Sequence, residues 1–312
     1  MMHQRKKEGR RHFALKVCLN GGVLLFVAVF LLVGCDFDRT AAVRELNNGL
    51  AAFSAGDSAE AVAFMEAALH ADPTFSEAAY YQGQVYQVRV GDLEAATRSY
   101  RRALDIDGDN PRYAYRLGHV LAEQGDHEAA IRNFEIAVLN DPEYARAWFA
   151  KGLSEDAAGQ FTEAIDSYAR AIEINPRLRM DESDPGGEHY HALGDLYLRF
   201  RLFDHAAQVY ENGARNNVSS PRMSHGHGVA LMQLGQFEEA ARSFENTLKL
   251  DSRHGSANFN LAVAHNSQGN RDAAIKQLEG LLEYGGAGLN QARLQGAQAL
   301  LNELTAEDEV DD

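Results

Sequence analysis

Two close pairs of histidines, His189/His191 and His225/His227, are the first residues in this chain that could do chemistry. Imidazoles bind metals and carry protons near neutral pH. A spacing of two, however, puts side chains on different faces of a helix. Neither pair can close a metal site without partners from elsewhere, so these are expected to be surface or groove histidines. No metal and no cofactor is expected. Other catalytic patterns are missing from the sequence. There is no Gly-x-Ser-x-Gly elbow, no His-Glu-x-x-His and no glycine-rich phosphate loop after a strand pattern. The expectation is therefore a protein with no catalytic residues.

The elements that carry these residues repeat. Gly56, Gly91, Gly125, Gly159, Gly235 and Gly269 each stand five residues before an alanine, at Ala61, Ala96, Ala130, Ala164, Ala240 and Ala274. A large apolar or aromatic residue follows four later: Met65, Tyr100, Phe134, Tyr168, Phe244 and Leu278. A seventh unit has Ala206 and Tyr210, with Arg201 where the glycine would be. The period is 34 residues, giving units 42–75, 76–110, 111–144, 145–178, 187–220, 221–254 and 255–288. The second unit is one residue longer, and eight residues, 179–186, are inserted before the fifth. Each unit reads as two amphipathic helices that cannot bury their apolar faces alone. Small residues recur inside the first helix, at Gly49, Gly83, Gly118, Gly152, Gly194, Gly228 and Ala262. Glycine in a helix interior costs about 1 kcal/mol relative to alanine, so its recurrence implies close helix packing.

In the fourth unit Trp148, Gly152, Gly159, Phe161, Ala164, Tyr168, Ala171 and Pro176 stand in order. This resembles the tetratricopeptide repeat (TPR), with Lys151 where leucine is usual and Glu155 where tyrosine is usual. The resemblance implies an all-α fold, a right-handed α-solenoid of about seven helix-turn-helix repeats over 42–304. The apolar stripe of Leu294, Ala297, Leu300 and Leu301 reads as a C-terminal capping helix. An acidic tail, 305–312, reads as solvated. In similar arrays the second, fifth, ninth and twelfth positions of each first helix face a concave groove. Those positions here include Tyr80, Arg112, Tyr115, His119, Arg146, Phe149, His191, Arg222, His225 and Phe259. Aromatics beside arginines suit a protein partner, a helix or extended segment whose carboxylates meet the arginines. The lysine and asparagine of chaperone-binding TPR domains are not matched, since Leu46 and Leu50 stand there.

The first 34 residues are of another kind. Six basic residues precede an apolar run from Val23 to Val33, which is 11 residues long. That fits a signal-peptide core and is short for a membrane span. It ends Leu32-Val33-Gly34-Cys35, which resembles the lipobox of bacterial lipoproteins. The resemblance implies removal of residues 1–34, diacylglycerol on Cys35 and a short linker, 35–41. An uncleaved anchor from Val17 is the alternative. Arg10-Arg11 resembles a twin-arginine export motif, and Asp36 resembles an inner-membrane retention signal.

From Cys35 onward 24 Lys plus Arg face 44 Asp plus Glu, a formal net of −20. Such a surface disfavours nucleic acid and anionic lipid as partners. Cys18 lies in the signal, so the mature fold would carry no disulfide. The expectation is a lipid-anchored scaffold of the bacterial envelope, facing the periplasm or exterior, that binds protein partners and no small-molecule substrate. The alternatives are an enzyme-associated subunit with a site near the histidines and the 179–187 insert, or a structural homo-oligomer.

Overall fold

The computed structural model describes residues 23–180, 186–283 and 288–306, with 23–38 described by their backbone alone. The middle of the insert, the start of the signal and residues 307–312 of the acidic tail lie outside these residues, while Thr305 and Ala306 end the last helix. Every regular element among them is helical. No described helix is long and apolar enough to cross a membrane. The chain forms two compact units, residues 1–124 and 125–312.

The first unit contains α1 (Val23–Ala55), α2 (Ser58–Ala71), α3 (Ser76–Val85), α4 (Leu93–Ile106) and α5 (Pro111–Glu123). The backbone of α1 is continuous through Cys35 and the 35–41 segment. Side chains start the helices: Asp57, Asp92 and Asn110 each accept an amide hydrogen bond from the first turn of α2, α4 and α5, satisfying donors that have no intrahelical acceptor. The extra residue of the second repeat has a visible consequence. After α3 the chain widens into a π-turn, Tyr86–Val90, before Gly91 at φ 77° ends it. The amides of Gly91 and Asp92 both return to the Tyr86 carbonyl. One inserted residue is thus absorbed inside a helix without shifting the register of α4.

The second unit contains α6 (His127–Asn140), α7 (Ala145–Ala157), α8 (Phe161–Ile174), α9 (Glu188–Arg199), α10 (Phe203–Arg215), α11 (Pro221–Gln233), α12 (Phe237–Leu250), α13 (Gly255–Ser267), α14 (Arg271–Glu283) and α15 (Gln291–Ala306). From α7 to α14 the helices pair in order, across glycine turns except at Arg201 between α9 and α10, an α-solenoid of helix-turn-helix repeats. α15 lays Ala297 and Leu304 on Ala262, Ala274, Leu278 and Leu281. The Arg271 guanidinium bonds the Leu304 carbonyl and ties down the end of α15.

One packing rule recurs within both units. At Gly49, Gly83, Gly152, Gly194 and Gly228 the first helix receives a large side chain of the second. A methyl added at Gly83 would sit 2.7 Å from the Tyr100 ring, and at Gly152 2.6 Å from Tyr168. Gly228 stands in the same relation to Phe244, at 2.5 Å. The rings therefore lie directly on the partner helix backbone, which explains why helix-weakening glycines recur.

The unit without a turn glycine is strained. Arg201 adopts φ 60°, where the other repeats place glycine. A non-glycine residue there costs about 1–2 kcal/mol, partly offset in a glycine variant by unfolded-chain entropy. Arg201→Gly is expected to raise stability by about 0.5–1 kcal/mol, measured by urea denaturation. An unchanged or lower midpoint contradicts this.

Candidate functional site

In the first unit α3 and α5 present a connected polar and aromatic surface. Arg112 and Arg116 are four apart on α5, so they share a face. The Arg112 guanidinium lies 5.2 Å from the centre of the Tyr80 ring, and its Nη2 is 3.5 Å from the Tyr80 hydroxyl. Gln84 donates to the same hydroxyl at 3.0 Å. Arg116 lies 6.0 Å from the Tyr115 ring centre. Further along, Gln87 accepts from Tyr100 at 3.0 Å and donates to Glu123 at 3.1 Å. His119 Nδ1 is 3.0 Å from Glu123. Burial pushes the His119 pKa down, against the opposing pull of Glu123.

In the second unit the corresponding positions are occupied differently. Arg146 is exposed and donates to the Arg179 carbonyl at 3.0 Å, reaching the start of the insert. Arg222 is exposed and pairs with Glu188 at 2.9 Å. His191 and His225 are half-buried. His225 Nε2 lies 3.2 Å from the Asn260 amide, and its ring stacks 4.8 Å from that of His254. His227 points elsewhere, to Ser243 at 3.3 Å, as a spacing of two on a helix requires. Among the described residues no group of three or more His, Cys, Asp or Glu could hold a metal.

The aromatic ladder needs correction. Tyr80, Tyr115 and Phe149 are only 4%, 6% and 4% exposed. Phe149 packs on Tyr168 at 5.8 Å, and Tyr80 on Tyr113 at 5.0 Å. Phe259 packs with the Leu278 and Leu281 cluster and lies beside Gly296 of the capping helix. These four rings belong mainly to the repeat core, Phe149 and Phe259 packing on the second helix of their own repeats and Tyr80 on a ring of the next. The exposed side chains of the predicted set are Arg112, Arg146 and Arg222, with His119, His191 and His225 half-buried beside them. Arg116 completes the first-unit cluster. Its spacing of four from Arg112 was the signal for it.

Burial lowers the pKa of His191 and His227, and that of His225 to about 4, with His254, Arg293 and His191 adding repulsion. A folded-state pKa below the ordinary 6.5 means that the unfolded chain binds these protons first. The stabilisation is complete above pH 6.5 and is lost as pH falls toward about 4. For His225, discounted for partial solvation, this amounts to on the order of 2 kcal/mol. His225→Asn is expected to flatten the stability profile across that window; an unaltered slope contradicts the assignment.

Family models described as tetratricopeptide repeat match residues 115–178 and 225–283. Another, described as TPR repeat, matches 89–125. These matched segments are tetratricopeptide repeats. A TPR repeat-containing protein of Methanocaldococcus jannaschii is 23% identical over 233 residues, covering 74% of this chain and 41% of that relative. The chain thus spans less than half of the relative's length. A tetratricopeptide repeat protein from Parabacteroides merdae superposes with TM-score 0.53 at 15% identity, over 85% of this chain and 99% of that one. YrrB, described as a TPR protein with an unusual peptide-binding site, gives TM-score 0.53 at 18% identity, over 65% of this chain and 98% of that one. These likenesses carry the TPR fold. TPR proteins serve typically as protein-interaction modules, and the Arg112 and His225 surfaces described above lie on the first helices of their TPR units.

Proposed function

We propose that this protein is a membrane-tethered scaffold of the bacterial envelope whose first-helix surfaces bind segments of partner proteins. The observation that carries the reading is the placement of the polar and cationic side chains. Arg112, Arg116 and His119 in one unit, and Arg146, His191, Arg222 and His225 in the other, all lie on first helices of repeats. The second helices spend their large residues on the core. YrrB, a structural neighbour, is described as having a peptide-binding site. An exposed, arginine-rich surface on a chain of net charge −15 favours a partner with acidic groups.

The tether is the diacylglycerol carried by Cys35 after removal of residues 1–34. Its two acyl chains suffice for stable anchoring. Asp36 favours the inner membrane. Labelling cells with an alkyne fatty acid tests this part. The wild-type chain is expected to incorporate label and fractionate with membranes, and Cys35→Ser is expected to do neither. An unlabelled wild type, or an equally labelled variant, removes the lipid anchor from the account.

A further inference from the structure

The seventh position of a repeat, where leucine is usual, is polar in alternate repeats: Gln82 in the second, Lys151 in the fourth and His227 in the sixth. Leu117, Leu193 and Leu261 hold it in the third, fifth and seventh. Each polar residue meets a serine of its own second helix. Gln82 bonds Ser99 at 3.2 Å, Lys151 bonds Ser167 at 3.3 Å, and His227 lies 3.3 Å from Ser243. In the fourth repeat Glu155 completes the group, accepting from both Lys151 and Ser167. The second repeat has no such acceptor. Gln82 is 8% exposed. Its carbonyl oxygen accepts from Ser99, and its amide nitrogen has no partner among the described residues. A withdrawn N–H donor without an acceptor is costly. Gln82 stands two residues from Tyr80 and from Gln84, so it lies on another face of α3 from the Arg112 surface. It forms the floor of a groove of about 590 Å³ between α2 and α4.

The walls of this groove carry opposite charge. Glu66 and His70 stand one turn apart on α2, and Arg98 and Arg102 one turn apart on α4. Among the described residues Glu66, Arg98 and Arg102 form no ion pair. Tyr86 lines the edge, where the π-turn begins, and such bulges gather at functional sites. Burial, then the charges of Glu66 and Asp92, push the Tyr86 pKa up, so its hydroxyl keeps a proton to donate. We infer that the groove binds a small zwitterion of the amino-acid or short-peptide type. The ligand carboxylate meets Arg98, Arg102 and the Gln82 amide, taking the acceptor role that Glu155 fills in the fourth repeat. The ligand ammonium meets Glu66. Guanidinium matches a carboxylate in plane and can bind it bidentately, and the volume suits a small ligand. A simple anion would leave Glu66 unpaired and be repelled by it. This adds a small ligand to the protein partners expected from the sequence, and it does not rest on the first-helix surface.

Saturation-transfer NMR on the full chain in nonionic detergent tests the assignment. The probes are free alanine, alanylalanine and trialanine, each also prepared with the amine acetylated or the carboxylate amidated. The expected result is binding of an unblocked probe, weakened about tenfold or more by either block. Glu66→Gln, and Arg98→Gln plus Arg102→Gln, should weaken it to the same degree. Gln82→Leu installs the residue usual at this position and fills the floor of the groove. It is expected to abolish binding while circular dichroism shows unchanged helicity. Binding that survives Gln82→Leu places the ligand elsewhere and overturns the site. Equal binding of the acetylated probe overturns the zwitterion in favour of a simple anion. Binding of no unblocked probe overturns the proposal outright.

Discussion

Glu155→Ala is expected to cost about 3–5 kcal/mol of stability, the largest effect of any single polar substitution here. Glu155 is 1% exposed on α7. Its Oε1 meets Lys151 Nζ at 2.5 Å, and its Oε2 accepts from Ser167 of α8 at 2.6 Å. Lys151 also donates to Ser167 at 3.3 Å and lies 5.6 Å from the Trp148 ring centre. Removing the carboxylate strands a mostly buried ammonium and a buried hydroxyl, each with a desolvation penalty that nothing offsets. These two residues are also the places where the fourth repeat departs from its family, which usually has leucine and tyrosine there. The departures are a matched pair. Lys151→Leu with Glu155→Tyr is therefore expected to recover most of the loss, or to exceed wild type, because apolar replacement of a whole buried pair is often neutral or stabilising. Chemical denaturation of the single and double variants checks this. A double variant as unstable as Glu155→Ala would mean that the pair is not the unit of stability.

Gly194→Ala and Gly226→Ala are each expected to destabilise by about 2–3 kcal/mol, although alanine is the better helix former. The cause is the Tyr210 ring. A methyl at Gly194 would sit 2.4 Å from it, and a methyl at Gly226 2.4 Å from its hydroxyl oxygen. The ring is held between α9 and α11, so it cannot move away from one glycine without meeting the other. Its hydroxyl is buried with no hydrogen-bond partner among the described residues, so no directional bond adds to the fit. In a Tyr210→Leu background the narrower side chain should relieve the clash, and Gly194→Ala should then cost less than about 1 kcal/mol, the cycle reporting a coupling between contacting residues. Equal costs in both backgrounds would place the strain elsewhere.

The repeat architecture was legible because its signals are local and redundant. A turn glycine, a small residue and a large one at fixed spacing report the same helix pair, and the structure has those helices. Within a helix, the i,i+4 spacings of Lys151 with Glu155 and of Arg112 with Arg116 were equally readable. What could not be read was depth. The rule that places Tyr80, Tyr115 and Phe149 on the inner side of a repeat does not say whether a ring ends in the groove or under the next helix. That depends on how closely the helices pack, which Gly83 and Gly152 set at close range between the two helices of their own repeats. Phe259 illustrates the same limit, since the capping helix lies beside it. The stacking of His225 on His254 joins a residue of α11 to the cap of α13, 29 positions on, and no spacing rule announces it. The π-turn was announced only as a surplus residue in the second repeat, with no sign of where the helix would widen.

The central claim is that partners bind the first helices of the repeats. Site-specific photocrosslinking in cells tests it most directly. A photoreactive residue is placed singly at Arg112, His191 or Arg222 on first helices, and at the exposed Arg101, Glu135 or Arg242 on second helices. The account predicts crosslinks to partner proteins, identified by mass spectrometry, from the first set and none from the second. Crosslinks arising from Arg101, Glu135 or Arg242 while Arg112, His191 and Arg222 stay silent would contradict it.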